Sequence, residues 1–259
     1  MTDRVRPRLV YGLVTVVGAA AFLYPFWLPA SSATAQAHGG DAPLWAAAIA
    51  GLVVAALALE VRRGTMNGAT VAILGVLAAS AGLLRLVELP GNNAGVWFLV
   101  VLAGVAFGPR FGLLLGVTAM AASAVITGGI GPWLPFQMLG LGWMGATAGL
   151  LGTATCRLEP RVEVAVVVAF GWVWGFLYGA VLNLWSWPFL QGDGPTLWRP
   201  GLGLVDTAQH YWSYYVATSL AWDAAGAFFN AVLLAVTGVA LLRTLRRFAH
   251  RLDPVTTFA

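Results

Sequence analysis

The sequence predicts an all-α polytopic membrane bundle. Three observations carry that expectation. Hydrophobic residues make up 59% of the 259 residues and charged ones only 9%. Apolar runs recur along the chain at lengths near the roughly 20 residues that cross a hydrocarbon layer. Arginines gather in every second gap between those runs. An ordinary soluble domain carries about 25% charged residues, so this chain could not clothe a water-facing surface of its size. The mean hydropathy of +0.81 says the same. A net charge of +4 and a pI near 9.7 could suggest nucleic acid. The basic residues lie between apolar runs, where they act as topology signals, and that partner is set aside.

The first apolar segment is Leu9–Leu28, preceded by Arg4, Arg6 and Arg8. It resembles a secretory leader with a cleavage region near Ala35–Ala37. Its run exceeds the usual 7–15 residues of a leader, so it reads as a retained helix. The second is Leu44–Leu59, followed by Arg62 and Arg63. A polar, glycine-containing connection at about residue 64 then divides the chain. Residues 1–64 form two nearly featureless transmembrane helices. Residues 65–247 form a six-helix core holding most of the in-helix polar groups. Residues 248–259 are a short cytoplasmic tail.

The core segments are Ala69–Leu86, Ala94–Phe107, Phe111–Thr127, Phe136–Thr155, Val162–Leu184 and Tyr214–Leu242. Arg110 lies between the second and third of these, Arg157 and Arg161 between the fourth and fifth, and Arg243, Arg246, Arg247 and Arg251 after the last. The intervening gaps hold little positive charge. That alternation fits eight spans with both termini cytoplasmic, in a plasma membrane. The single cysteine, Cys156, excludes an intramolecular disulfide framework and a multi-cysteine metal site, and reads as a small apolar filler at a helix end.

Two small-residue stripes stand out. Gly104, Gly108, Gly112 and Gly116 recur every four residues, and Ala72, Gly75, Ala79 and Gly82 line a second face. Such spacing lets helices approach closely, either within the bundle or against another membrane subunit. Pro109 and Arg110 indicate that the first stripe runs across the end of one helix and the start of the next. The run 128–138 packs three glycines, Pro132, Trp133, Pro135 and Gln137 where a helix enters the bilayer. Pro135 suits a first helical turn, and a buried Gln137 needs partners. It reads as a helix-start cap or as a ligand site of aromatic plate and amide. Asn183 and Trp187 flank the next such gap. Asp223 lies within the last segment, where an ionisable group is costly and either paired or functional. Ser219 and Asn230 share its face, and Arg85 is a possible charge partner.

No catalytic or metal site is expected. His38, His210 and His250 lie in or near loops and tails, and no hydrolase, zinc or Walker motif occurs. A lipid-directed enzyme using Asp223 and His210, and an assembly protein, remain open alternatives.

Phe107-Gly108-Pro109-Arg110-Phe111-Gly112, followed by Gly128-Gly129-Ile130-Gly131-Pro132-Trp133-Leu134-Pro135-Phe136-Gln137-Met138, resembles the substrate-binding S components of energy-coupling factor (ECF) transporters. The likeness is closest to actinobacterial members with a Gly-Pro-Trp-x-Pro-Phe-Gln-Met signature, and covers about residues 66–247. Tyr178-Gly179, Asn183 to Phe189 and Thr218 to Asp223 add to it. The resemblance implies a six-helix membrane subunit, not an enzyme and without cofactor. It would capture a vitamin or similar micronutrient beside a transmembrane coupling (T) subunit and two cytoplasmic ATPases. It implies docking through an alanine-rich face of the first core helix, here Ala72, Gly75, Ala79 and Gly82, with Gly108 and Gly112 as further docking candidates. The segment is not a clean Ala-x-x-x-Ala repeat. Substrate contacts fall on Trp133, Gln137, Asn183, Trp187 and Asp223, and a cobalamin-type cargo is the preference.

Overall fold

The computed structural model describes residues 7–27, 42–64, 66–87 and 94–252. Cleavage near Ala35–Ala37 and the tail beyond 252 lie outside them. The described residues form α1 (Pro7–Leu23), α2 (Ala42–Arg62), α3 (Gly68–Leu84), α4 (Ala94–Phe107), α5 (Pro109–Thr127), α6 (Leu134–Thr155), α7 (Pro160–Asn183), α8 (Leu204–Thr218) and α9 (Leu220–Leu252). Two short 3-10 turns, Tyr24–Trp27 and Trp187–Phe189, sit in the connections. The all-α membrane bundle is confirmed. Five helices are long and apolar enough to cross a membrane, and α3 and α4 are shorter apolar helices.

The helix starts follow local chemistry. Asn67 caps α3, its Oδ1 accepting from the Thr70 backbone N–H at 2.9 Å. Glu159 caps α7 in the same way through Val162. Proline stands in the first turn of α5, α6 and α7, where a missing N–H costs nothing. Gly108, at φ +91°, is the break that lets α4 turn into α5.

Helix α4 is the axis of the bundle. It is apolar all round, and every residue from Ala94 to Ala106 is buried, as expected of a helix surrounded by others. Glycines set how closely its neighbours approach. A Cβ on Gly112 would overlap the Gly145 carbonyl, one on Gly116 the Leu141 carbonyl, and one on Gly149 the Pro109 backbone. These contacts fix an antiparallel α5–α6 pair at backbone contact. A second antiparallel pair, α7–α9, uses Gly171 against Asn230 and Leu234, Gly175 against Ala227, and Gly179 against Asp223.

Two carboxylate contacts tie the arginine-bearing helix ends together. Arg246 donates to both oxygens of buried Glu163, at 2.7 and 2.6 Å, and Thr155 donates to the same carboxylate at 3.0 Å. Arg110 meets buried Glu60 at 3.4 Å. The second contact joins α2 to the core. Helix α1 lies along α6, with Phe22 edge-on to Phe136 and Gly18 beside Trp143 and Leu139.

The structure corrects three expectations. The expected segment Tyr214–Leu242 is two helices, because α8 ends at Thr218 and α9 begins at Leu220. Cys156 is exposed rather than buried, its thiol turned to the Thr153 carbonyl. Arg85 does not pair with Asp223: it donates to Ser123, while Asp223 accepts from Tyr215.

Candidate functional site

Trp133, Gln137, Asn183, Trp187 and Asp223 lie at the end of the bundle opposite Arg110, Arg157, Arg161 and Arg246. They fall into two groups.

The first group lies among α4, α6 and α7. Gly128, in the left-handed conformation at φ +68°, closes α5 and opens the turn into α6. Trp133 stands at the head of α6, about two-fifths exposed, its indole N–H on the Gly129 carbonyl at 3.3 Å. Gln137 follows one turn later. Its Oε1 is buried and accepts no hydrogen bond from the described residues. Its backbone carbonyl accepts from the Tyr178 hydroxyl at 3.4 Å. Tyr178 is buried and tilted against Trp97 of α4, ring centroids 5.2 Å apart. Trp97 is fully buried and its indole N–H has no acceptor among the described residues.

The second group joins α7, α8 and α9, and its members are satisfied. Asn183 donates to Ser219 at 2.8 Å. Asp223 is seated over Gly179, where no Cβ would fit, and accepts from Tyr215 at 2.9 Å. Burial first, and this acceptor second, push the Tyr215 hydroxyl above the usual phenol range, so it remains a donor. Trp187 is buried and donates to the Thr196 carbonyl at 2.9 Å. Tyr211 donates to the Ala180 carbonyl, and His210 meets the Leu197 carbonyl at 2.8 Å. The connection 184–203 is thereby folded down as a cap. Phe26, in the 3-10 turn that follows α1, packs on Trp187 and Trp198 within it.

Sequence reasoning found Trp133, Gln137, Asn183, Trp187 and Asp223 but not the residues around them. Trp97 was hidden inside an unbroken apolar run; Ser219 was placed on the Asp223 face, but its bond to Asn183 and that of Tyr215 to Asp223 were not foreseen. The four-residue spacing of Gly171, Gly175 and Gly179 was the available signal for the floor under Asp223. The docking candidates also separate. Ala72, Gly75 and Ala79 are exposed on α3, with open space beside Gly75. Gly82 packs on Ser123 and Gly112 on Gly145, both inside the bundle. Gly108 is the α4–α5 break. Among the described residues no cluster of His, Cys, Asp or Glu could hold a metal ion.

The family model for the substrate-specific component of ECF transporters matches residues 69–238, which run from the start of α3 well into α9. The chain belongs to this family. S components are the substrate-binding membrane subunits of ECF importers and not enzymes, and they work in association with T and ATPase subunits. No curated protein and no solved structure matches the chain. Membership of the ECF substrate-specific family sets the lipid-directed enzyme aside.

Proposed function

We propose that this S component captures a vitamin or similar micronutrient at the outer membrane face and hands it inward through an ATP-driven complex. One observation carries the reading beyond the family. Gln137, Asn183 and Asp223, the polar groups that the sequence singles out, lie together at the bundle end opposite Arg110, Arg157, Arg161 and Arg246. The positive-inside preference makes the arginine end cytoplasmic, with both termini there, and turns the polar end outward, where a nutrient arrives.

In this reading residues 1–64 are an addition to the carrier, 65–247 are the carrier, and 248–259 a cytoplasmic tail. Trp133 and Gln137 meet the substrate. Asn183, Trp187 and Asp223 hold the cap over it. The T subunit docks on Ala72, Gly75 and Ala79, where small side chains permit close approach. Close packing around Tyr178 favours a small planar cargo, and cobalamin enters only as one member of a panel.

The test uses the full chain in nanodiscs. A panel of water-soluble vitamins is screened for thermal stabilisation, and the chain is co-expressed with the T and ATPase subunits. One vitamin should stabilise the chain, and the T subunit should co-purify. No stabilisation together with no co-purification would remove the reading. Changing Ala79→Leu should cut T-subunit recovery without altering vitamin binding.

A further inference from the structure

The two groups at the outer end differ in one respect that bears on the ligand. Around Asp223 each named side chain makes a hydrogen bond within the chain, and Asn183, Trp187 and Asp223 each engage a named partner. Around Tyr178 two buried groups do not: the Trp97 indole N–H, a donor, and Gln137 Oε1, an acceptor. In a membrane bundle a buried unsatisfied polar atom has no water to turn to, and its cost is high.

A third group belongs with them. Arg85 caps the outer end of α3. Gly95, two residues before Trp97, packs on the Leu84 carbonyl beside it. The Arg85 side chain does not reach out toward lipid headgroups, as an arginine at a helix end usually does. It turns inward, Nη1 lying 3.1 Å from Ser123 Oγ and 3.5 Å from Met120 Sδ, both fully buried residues. Among the described residues no carboxylate pairs with it. A partly buried cation with neutral neighbours calls for a counter-anion, and a guanidinium fork suits a carboxylate or phosphate.

We propose that Arg85, Trp97 and Gln137 form the recognition core of the capture site and select an anionic planar ligand, one bearing a carboxylate or phosphate. Arg85 takes the anion. The Trp97 N–H donates to a ring or carbonyl acceptor, and Gln137 Oε1 accepts from a ligand N–H or O–H. The ring stacks in the aromatic layer that Trp97 and Tyr178 begin. This inference rests on the capture reading above and adds the charge of the cargo.

The test uses pairs in which one member carries the anionic group and the other a neutral replacement: nicotinate and nicotinamide, 4-aminobenzoate and 4-aminobenzamide, pyridoxal 5′-phosphate and pyridoxal, riboflavin 5′-phosphate and riboflavin. Binding to the full chain in nanodiscs is measured by calorimetry, with the vitamin panel alongside. The anionic member of at least one pair should bind at least about tenfold tighter, the carboxylate and phosphate pairs separating the two anions. Arg85→Gln should weaken it by about ten- to a hundredfold, as loss of a charge-assisted hydrogen bond does, and Arg85→Lys by less. Trp97→Phe keeps the ring on Tyr178. It should weaken the same ligand while leaving the empty protein at least as heat-stable, which a purely structural tryptophan would not do. A neutral or cationic vitamin that binds equally to the wild type and to Arg85→Gln overturns the inference and leaves the capture reading standing. Stabilisation by nothing, with no T subunit recovered, removes both.

Discussion

At the scale of single residues, the buried polar groups divide by whether the chain satisfies them. Asp223 is held by Tyr215 and floored by Gly179. Tyr215→Phe removes the donor and leaves a buried carboxylate short of a partner, and should destabilise the protein by about 1 kcal/mol, the scale of interhelical hydrogen bonds in membranes. Gly179→Ala places a Cβ against that carboxylate and should cost more, about 2–3 kcal/mol by the usual range for overpacking. Unfolding in mixed detergent micelles measures both. At the arginine end, Glu163 is the common acceptor of Thr155 and Arg246. Glu163→Gln leaves a guanidinium unpaired in a largely buried place, a loss of about 3 kcal/mol, and a double-mutant cycle with Arg246→Gln should recover part of it. Sequence exposed Asp223 as anomalous because charges are rare in apolar runs. It did not show Trp97, since an indole buried without an acceptor looks like any other aromatic until its surroundings are known.

At the scale of elements, α8 is the one the apolar runs did not announce. The stretch 214–242 is largely apolar and has no proline or glycine at the break, so the turn was marked only by Thr218 and Ser219, residue types that favour helix ends. The helix is two-faced. Tyr211 and Tyr215 reach inward to α7 and α9, whereas Leu204, Val205, Trp212 and Val216 are exposed. An apolar face at the rim of a membrane bundle belongs in the lipid boundary. With Cys156→Ser as background, a cysteine introduced as Trp212→Cys should react slowly with a membrane-impermeant maleimide, and one introduced as Asp206→Cys, exposed off that apolar face, should react faster. Equal rates would place α8 in water. The short α4 was also legible only in part. Its apolar run gave the helix, but its central position follows from Gly104 and Gly95 allowing neighbours to close on it, which composition does not reveal.

At the scale of the whole molecule, the alternation of arginines was the most informative feature of the sequence, because it sorted helix ends before any contact was known. It could not say where α1 and α2 go. They pack against α5 and α6, held by Glu60 and Arg110 at one end and by Phe26 on the cap at the other. Glu60→Gln should loosen that union, read as faster proteolysis at Arg62 and Arg63 with the core left intact. The attachment has a directional consequence. A six-helix carrier alone offers its neighbours a full circuit of approaches. Here one flank is already occupied, and α3 keeps its small-residue face open elsewhere. With the T subunit docked on Ala72, Gly75 and Ala79 as proposed, it would approach a carrier one flank of which α1 and α2 already cover, and those two helices would have to be carried through the lipid in any movement of the core.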